Sequence, residues 1–165
     1  MGGKREPKTV DKTRHNHAAC VADAVAAAEA LAVKSSARLT PLRRRVLELI
    51  CASHAPVGAY DLLERLGGER DGKAAPPTVY RALEFLLGHG LIHRINSLNA
   101  YVACFGPHRP HDACLFICER CRTVDESEAQ GLRHAIDREA SAAGFSVRHQ
   151  TIEVSGLCRA CAKAA

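Results

Sequence analysis

Two closely spaced cysteine pairs constrain this chain more than any other feature. Cys118 and Cys121 form the first pair, and Cys158 and Cys161 form the second after 36 intervening residues. Two residues between thiolates allow one tight turn to direct both sulfurs at a single ion, and two such turns complete a tetrahedral sulfur site suited to zinc. We therefore predict a structural zinc site with four cysteine ligands, which replaces core that a small folding unit lacks.

The composition indicates a globular protein that keeps its thiols reduced. The 165 residues are 47% hydrophobic, which is enough for a packed core. The sequence contains no apolar run of about 18 residues and no apolar signal core near its start, so we expect a cytoplasmic protein without a membrane partner. Its eight cysteines should stay reduced there, and the net charge of +5 is weak evidence for an acidic partner such as DNA.

The sequence before the first cysteine pair predicts helices followed by a hairpin. An Ala-rich helix is expected at residues 18–33, and apolar residues at helical spacing then indicate three helices that begin near Thr40, Gly58 and Thr78. Two short strands follow, at 91–95 and 100–104. Three helices and a two-stranded hairpin are the order of a winged helix-turn-helix, in which the helix capped by Thr78 is the recognition helix.

The last third of the chain has a different predicted secondary structure, with more strand than helix segments. Strands are predicted at 115–118, 123–125 and 145–154, with a helix at 127–143 between the last two. We therefore expect an α+β protein of three segments: a flexible basic tail with the Ala-rich first helix at 1–36, a winged-helix domain at 37–104 and a zinc-bound domain at 105–165.

A second set of metal-capable side chains lies around the junction of the two domains. It comprises His93, Cys104, His111 and Glu126. Antiparallel strands bring His93 and Cys104 close together, and the following strands can bring the other two near them. Each residue alone has an ordinary explanation on the surface or in the core, so only their joint position indicates a site. A mixed nitrogen, sulfur and oxygen site should bind zinc more weakly than four thiolates and lose it as the pH falls.

Several motifs resemble the zinc uptake regulator branch of the ferric uptake regulator superfamily. The resemblance covers residues 39–161 and rests on LTPLRRRVLELI, GAYDLLERL, PPTVYRALEFLLGHGLIHRINSLNAYVAC, HDACLFICERC and RHQTIEVSGLCRAC. It implies a homodimeric repressor of zinc uptake and homeostasis genes that binds double-stranded operator DNA through its winged helix and dimerises through a small C-terminal α/β domain. It also implies two zinc ions per monomer. The structural ion matches Cys118, Cys121, Cys158 and Cys161, and the regulatory ion matches His93, Cys104, His111 and Glu126.

Several residues leave alternatives open around these sites. The segment between Cys104 and Cys118 is shorter than expected, so His108 could replace His111. Other candidates for a metal ligand are His149, the cluster of His15, His17 and Cys20, and Cys114, for which packing in the core is the favoured explanation.

The residues that contact DNA are predicted mainly from their position on the recognition helix. Tyr80 and Arg81 lie at its start, where side chains reach base edges, and arginine is the usual partner of guanine. The family resemblance adds Tyr60 at the start of the preceding helix. Arg43 and Arg44 are candidates for phosphate contacts, with an ordinary solvated charge as the alternative.

Three other functions compete with this interpretation. A related regulator could sense iron, manganese or peroxide, but a thiolate at Cys104 favours zinc over harder ions. A zinc hydrolase or deaminase would need an open coordination position and, for a deaminase, the H-x-E and P-C-x-x-C motifs, which are absent from the sequence. A redox module could use the cysteine pairs, although no βαβ pattern surrounds them. We expect no enzymatic activity and no small-molecule substrate other than zinc.

Overall fold

The computed structural model describes residues 17–52, 54–68, 75–104, 113–127, 130–148 and 150–164. The N-terminal half contains α1 (His17–Lys34), α2 (Pro41–Cys51), β1 (Val57–Gly58), α3 (Ala59–Gly68), α4 (Pro76–Gly88), β2 (Ile92–Ile95) and β3 (Ala100–Ala103). The C-terminal half contains β4 (Cys114–Cys118), β5 (Val124–Ser127), α5 (Gln130–Ala142), β6 (Ile152–Gly156) and α6 (Arg159–Lys163). The predicted α+β class is confirmed. In the described ranges, each helix is too short or too polar to cross a membrane.

The Ala-rich helix α1 packs against α2. Its stripe of small apolar residues is buried at Val25 and Ala28, and Glu29 forms an ion pair of 2.8 Å with Arg44 of α2. The second helix begins as the sequence predicts, because the Thr40 hydroxyl oxygen accepts a hydrogen bond from the Arg43 amide at 3.3 Å. These contacts give α1 the partner that its thin apolar stripe requires.

The recognition helix α4 has the predicted apolar face but a different start. Val79, Ala82, Leu83 and Leu86 are all buried, which confirms the stripe. The prediction that Thr78 caps the helix is wrong, since α4 begins at Pro76 after an extended Ala75 that makes no side-chain cap. Proline suits the first helical position because its fixed φ is helical and its missing N–H would have no partner there.

The wing is a small sheet with three strands in the order β1-β3-β2. The predicted hairpin of β2 and β3, called the wing hairpin below, pairs His93 with Val102 and Arg94 with Tyr101. The third strand, β1, was not predicted from the sequence because two residues carry no periodic signal. A tight turn between α4 and β2 sets the direction of β2. Gly90 forms part of this turn with a φ of +64°, a conformation that residues with a side chain disfavour.

The C-terminal sheet has the strand order β5-β4-β6. Strand β4 pairs antiparallel with β5 and parallel with β6, so Leu115 lies between Glu126 and Glu153. The last strand starts at Ile152, later than the predicted residue 145, and the short helix α6 was not predicted.

The two halves meet between the wing hairpin and the C-terminal sheet. Ile95 and Val102 of the hairpin share a buried apolar cluster with Leu115, Ile117 and Val124 of the sheet. A backbone hydrogen bond of 3.2 Å from the Val124 amide to the His54 carbonyl adds a polar contact between them. The predicted domain boundaries at residues 36 and 104 remain predictions.

Candidate metal centres

The four cysteines of the two pairs lie together at one end of the C-terminal sheet. Cys118 ends β4, Cys121 lies in the turn after it, and Cys158 and Cys161 lie before and within α6. Their sulfur atoms all lie within 4.8 Å of one another, and the Cys121 and Cys158 sulfurs are 3.7 Å apart. These four residues are called the four-cysteine cluster below.

The backbone around the four-cysteine cluster directs the sulfurs inward. The Arg122 amide donates to the Cys118 carbonyl at 2.9 Å, and Arg122 adopts a left-handed φ of +60° that closes the turn. The Arg120 guanidinium donates to the Cys161 carbonyl at 2.9 Å and so joins the two turns. Thr123, which sequence reasoning missed, lies with its hydroxyl 3.0 Å from the Cys121 sulfur.

Hydrogen bonds in the four-cysteine cluster favour thiolate at one side of the site. Backbone amides of Cys158 and Cys121 lower the pKa of Cys118 to about 6. The Thr123 hydroxyl is the main cause of a lowered pKa at Cys121. Burial and the neighbouring sulfurs raise the pKa of Cys161 to about 12. The site therefore favours the first thiolate but disfavours further ones, because their negative charges repel one another. A bound divalent cation would relieve this repulsion.

The geometry of the four-cysteine cluster fits a tetrahedral zinc ion. Zinc–sulfur bonds of about 2.3 Å in a tetrahedron place neighbouring sulfurs about 3.8 Å apart. The 3.7 Å between the Cys121 and Cys158 sulfurs agrees with that spacing. Four thiolates are also the donor set that structural zinc prefers.

Three of the four residues predicted for the second site lie close together between the halves. Ligand atoms of His93 on β2, Cys104 after β3 and Glu126 on β5 all lie within 4.8 Å of one another, and they are called the hinge cluster below. His93 Nε2 is 3.0 Å from Glu126 Oε1, and Cys104 is only 5% exposed. A buried nitrogen, sulfur and oxygen set can hold zinc, with a fourth position left for another ligand.

The remaining metal candidates are outside the described residues or away from the clusters. His111, its alternative His108, His149 and His15 lie outside the described ranges, as does the side chain of His17. Cys114 is buried at the opposite end of β4 from Cys118, about 13 Å away along a strand, and burial raises its pKa. Packing in the core therefore explains Cys114 without a metal.

Two of the predicted DNA-facing residues, Tyr60 and Tyr80, line one groove of the N-terminal half. Tyr60 on α3 is 76% exposed and Tyr80 on α4 is 42% exposed, and both line a groove of about 460 Å³. Arg94 of the wing hairpin lines the same groove and donates to the Asn99 side-chain oxygen at 3.2 Å. Arg81 is exposed next to Tyr80. The recognition helix thus presents aromatic and cationic side chains to solvent.

The two arginines predicted to contact phosphates have partners within the chain. The Arg43 guanidinium donates to the Arg38 carbonyl and lies 3.7 Å from the centre of the Phe85 ring. Arg44 forms ion pairs with Glu29 and Glu48. A phosphate contact from either residue would be added to these interactions or would replace them.

The fold and the two clusters together define a winged-helix protein with two candidate metal centres. The ferric uptake regulator family model matches residues 34–155. The chain therefore belongs to the ferric uptake regulator family.

Its more similar relatives within that family are zinc uptake regulators. The zinc uptake regulation protein of Escherichia coli (strain K12) is 44% identical over 138 residues, which are 83% of this chain and 80% of that protein. A structure of a zinc uptake regulator complexed with zinc and DNA matches with a TM-score of 0.82 and 41% identity, over 87% of this chain and 96% of that chain.

The regulator XcZur has both a holo and an apo crystal structure, so the conformation of this chain can be compared with each. The holo crystal structure of XcZur is 43% identical and has a TM-score of 0.78, over 84% of this chain and 96% of that chain. The apo structure of XcZur has a TM-score of 0.52 at 40% identity, over 87% of this chain and 99% of that chain. The chain described here therefore matches the holo form more closely than the apo form.

Proposed function

We propose that this protein is a zinc-responsive, sequence-specific DNA-binding repressor of zinc uptake and homeostasis genes. It binds two zinc ions per monomer, a structural ion at the four-cysteine cluster and a regulatory ion at the hinge cluster. The observation that carries the proposal is the position of the hinge cluster, because His93 lies on the wing hairpin and Cys104 directly follows it, whereas Glu126 belongs to the C-terminal sheet. His111 is proposed as the fourth ligand of the regulatory ion.

The four-cysteine cluster holds the C-terminal half together. Cys118 and Cys121 close the turn between β4 and β5, and Cys158 and Cys161 belong to the segment around α6. When bound, zinc supplies four bonds that tie these two segments together and removes the repulsion between thiolates. This role is structural, so the ion should resist removal under conditions that empty the hinge cluster.

The hinge cluster controls how the DNA-binding half is oriented. Without a ligand set that spans the halves, the two winged helices of a dimer would sample many spacings, few of which fit half-sites one helical turn apart. Metal ligands contributed by both halves narrow the distribution of these spacings. Each 1.4 kcal/mol or so of preference for the DNA-ready state raises DNA affinity about tenfold, and DNA must then tighten zinc binding by the same factor.

The DNA contact is proposed for the start of α4. We infer that Arg81, which is exposed on α4, contacts a base edge. Tyr80 and Tyr60 line one groove, and Arg43 and Arg44 supply positive charge on α2. The similarity to a zinc uptake regulator solved with zinc and DNA supports this assignment. Arginine at the N-terminal end of a recognition helix is the common reader of guanine in the major groove.

A homodimer is proposed through the C-terminal half. Phe116 and Val154 are paired on neighbouring strands and are 46% and 40% exposed, and Phe145 and Leu157 are exposed by 69% and 48%. A monomer would leave these apolar side chains in water, whereas a second copy packed against the C-terminal half would bury them. Sedimentation velocity should give a dimer at micromolar concentration.

A metal titration tests the proposed function. The probe is a duplex selected from a random-sequence pool by the zinc-loaded protein, and binding is followed while zinc, iron(II) or manganese(II) is added to protein that retains the structural ion. Zinc should increase affinity for the selected duplex by at least about tenfold. Activation by iron or manganese but not by zinc would refute the proposal in favour of a family member that senses another signal.

A further inference from the structure

Three residues form one row across the C-terminal sheet and face the wing hairpin. Leu115 on β4 pairs with Glu126 on β5 and with Glu153 on β6. Residues that pair across neighbouring strands project from the same face of a sheet. Glu126 reaches His93, and Leu115 belongs to the apolar cluster between the halves. The third member of the row should therefore contact the hairpin as well.

Glu153 binds the turn at the tip of the wing hairpin with both carboxylate oxygens. The Asn96 amide donates to Oε1 at 2.6 Å, and the Ser97 amide donates to Oε2 at 3.1 Å. Burial raises the pKa of Glu153, but hydrogen bonds from the Ser97 hydroxyl and these two amides outweigh it and leave the pKa lowered. The carboxylate thus satisfies two neighbouring N–H groups that belong to the other half of the protein.

The hairpin is consequently fixed to the C-terminal sheet at two separate points. His93 in the hinge cluster and Asn96 at the turn are three residues apart, about 10 Å along a strand. The contact at the hinge cluster can change when a metal binds or leaves. The contact of Glu153 uses two backbone amides, the Ser97 hydroxyl and one carboxylate, so it requires no metal.

We propose that Glu153 is a positioning residue for the regulatory metal site. It favours contact between the wing hairpin and the C-terminal sheet, so that a larger fraction of the molecules keeps His93 and Cys104 within reach of Glu126 when the hinge metal has left. Fewer molecules then have to bring the two halves together when a metal binds. The entropic cost of metal binding is therefore smaller, and the metal affinity of the hinge cluster is higher. The consequence for DNA affinity rests on the proposed function, because the metal-bound hinge is the DNA-ready state.

Glu153→Gln in the full-length protein tests this role. A glutamine oxygen can still accept one amide hydrogen bond, but its NH2 group faces the second amide and cannot accept from it. Glu139→Gln is the matched control, since that carboxylate lies on α5 with 79% of its side chain exposed and the substitution changes the charge equally. Both variants are compared with the unmodified protein.

Two measurements on these proteins need no DNA. Zinc affinity at the hinge cluster is measured by competition with a chromophoric chelator, and amide hydrogen exchange is measured at Asn96 and Ser97. Glu153→Gln should weaken hinge zinc about tenfold and accelerate exchange about tenfold at the amide that loses its acceptor, the factor that corresponds to one hydrogen bond to a charged group. The structural ion should stay bound, and Glu139→Gln should change neither quantity.

Other results would overturn the proposal. Unchanged hinge affinity in Glu153→Gln would show that the contact positions nothing for the metal, and a lower unfolding temperature with unchanged hinge affinity would reduce Glu153 to a structural residue. Equal effects of Glu139→Gln would assign the change to charge alone. If no duplex binds under any metal condition, the proposed function fails, while the zinc and exchange measurements still decide the role of Glu153.

Discussion

His93 Nε2 lies 3.0 Å from Glu126 Oε1, although 33 positions separate the two residues in the chain. The contact joins β2 of the wing hairpin to β5 of the C-terminal sheet. Both side chains are largely buried, with 14% and 7% exposed. A metal ion bound between these side chains would contact both halves at once, and the proposed function therefore links metal occupancy to the orientation of the DNA-binding half.

Replacing Glu126 by glutamine should weaken zinc binding at the hinge cluster. The substitution keeps the shape but removes the negative charge from a ligand. The zinc affinity should fall at least about tenfold, because substitution of a residue that only contacts a metal ligand can already cause a loss of this size. The control is Asp125→Asn, because neighbouring residues of a strand project to opposite faces and Asp125 pairs with Phe116. Equal affinities of the two variants in a chelator competition assay would argue against Glu126 as a ligand.

Replacing Cys158 by serine should remove the structural ion and destabilise the C-terminal half. Structural zinc contributes directly to folding, so the unfolding temperature should fall by about 10 °C or more. Cys114→Ala is the matched control, since Cys114 is buried outside both clusters, and it should keep its zinc and lose only roughly 1 kcal/mol. Elemental analysis and thermal unfolding check both variants, and full retention of zinc in Cys158→Ser would contradict the assignment.

Replacing Arg81 by alanine should weaken binding to the selected duplex and relax its base preference. Loss of an arginine contact to a guanine edge costs about 1–3 kcal/mol. Arg133→Ala makes the same charge change on α5, where Arg133 lies 3.7 Å from Asp137, and it should leave affinity nearly unchanged. Fluorescence anisotropy on the selected duplex and on single-base variants measures both effects. A uniform loss over all duplexes would instead assign Arg81 to phosphate contact.

The contact of Glu153 should stabilise the protein in a pH-dependent way. Its pKa is lowered in the folded protein, so the stabilisation is fully present above the unfolded value of about 4.3 and is lost as the pH falls through the lowered folded value. Unfolding free energies are compared with and without Glu153→Gln in a Cys104→Ser background, which we expect to lose the hinge metal. The difference should stay constant from about pH 7.5 to about pH 5.5 and shrink below about pH 4. A difference that grows on acidification would contradict the lowered pKa.

Sequence patterns predicted five of the six helices in the described residues, and they grouped the four cysteines and, separately, His93, Cys104 and Glu126 as the structure does. The apolar stripe of α4 and the Thr40 cap are local features, and local features are visible in sequence. His93 and Cys104 were predicted to be close because an antiparallel hairpin fixes their spacing. The four cysteines were predicted to converge because only one arrangement of two such pairs completes a sulfur site.

The features missed by sequence reasoning depend on tertiary contacts. Strand β1 has two residues and exists only through its pairing with β3. The contact of Glu153 with Asn96 and Ser97 follows from the parallel register of β4 and β6, which joins distant segments. Thr78 is a common capping residue, but Ala75 holds the cap position three residues earlier, and Pro76 occupies the first helical position.

The measurement that tests the account most directly is the zinc content per chain of Cys104→Ser, taken together with its binding to the selected duplex. Cys104 is a buried member of the hinge cluster, and serine keeps its size while removing the thiolate. We predict that zinc content falls from two ions to one, that the structural ion remains, and that added zinc no longer increases duplex affinity. A variant that keeps both ions, or that still responds to zinc as the unmodified protein does, would contradict the account.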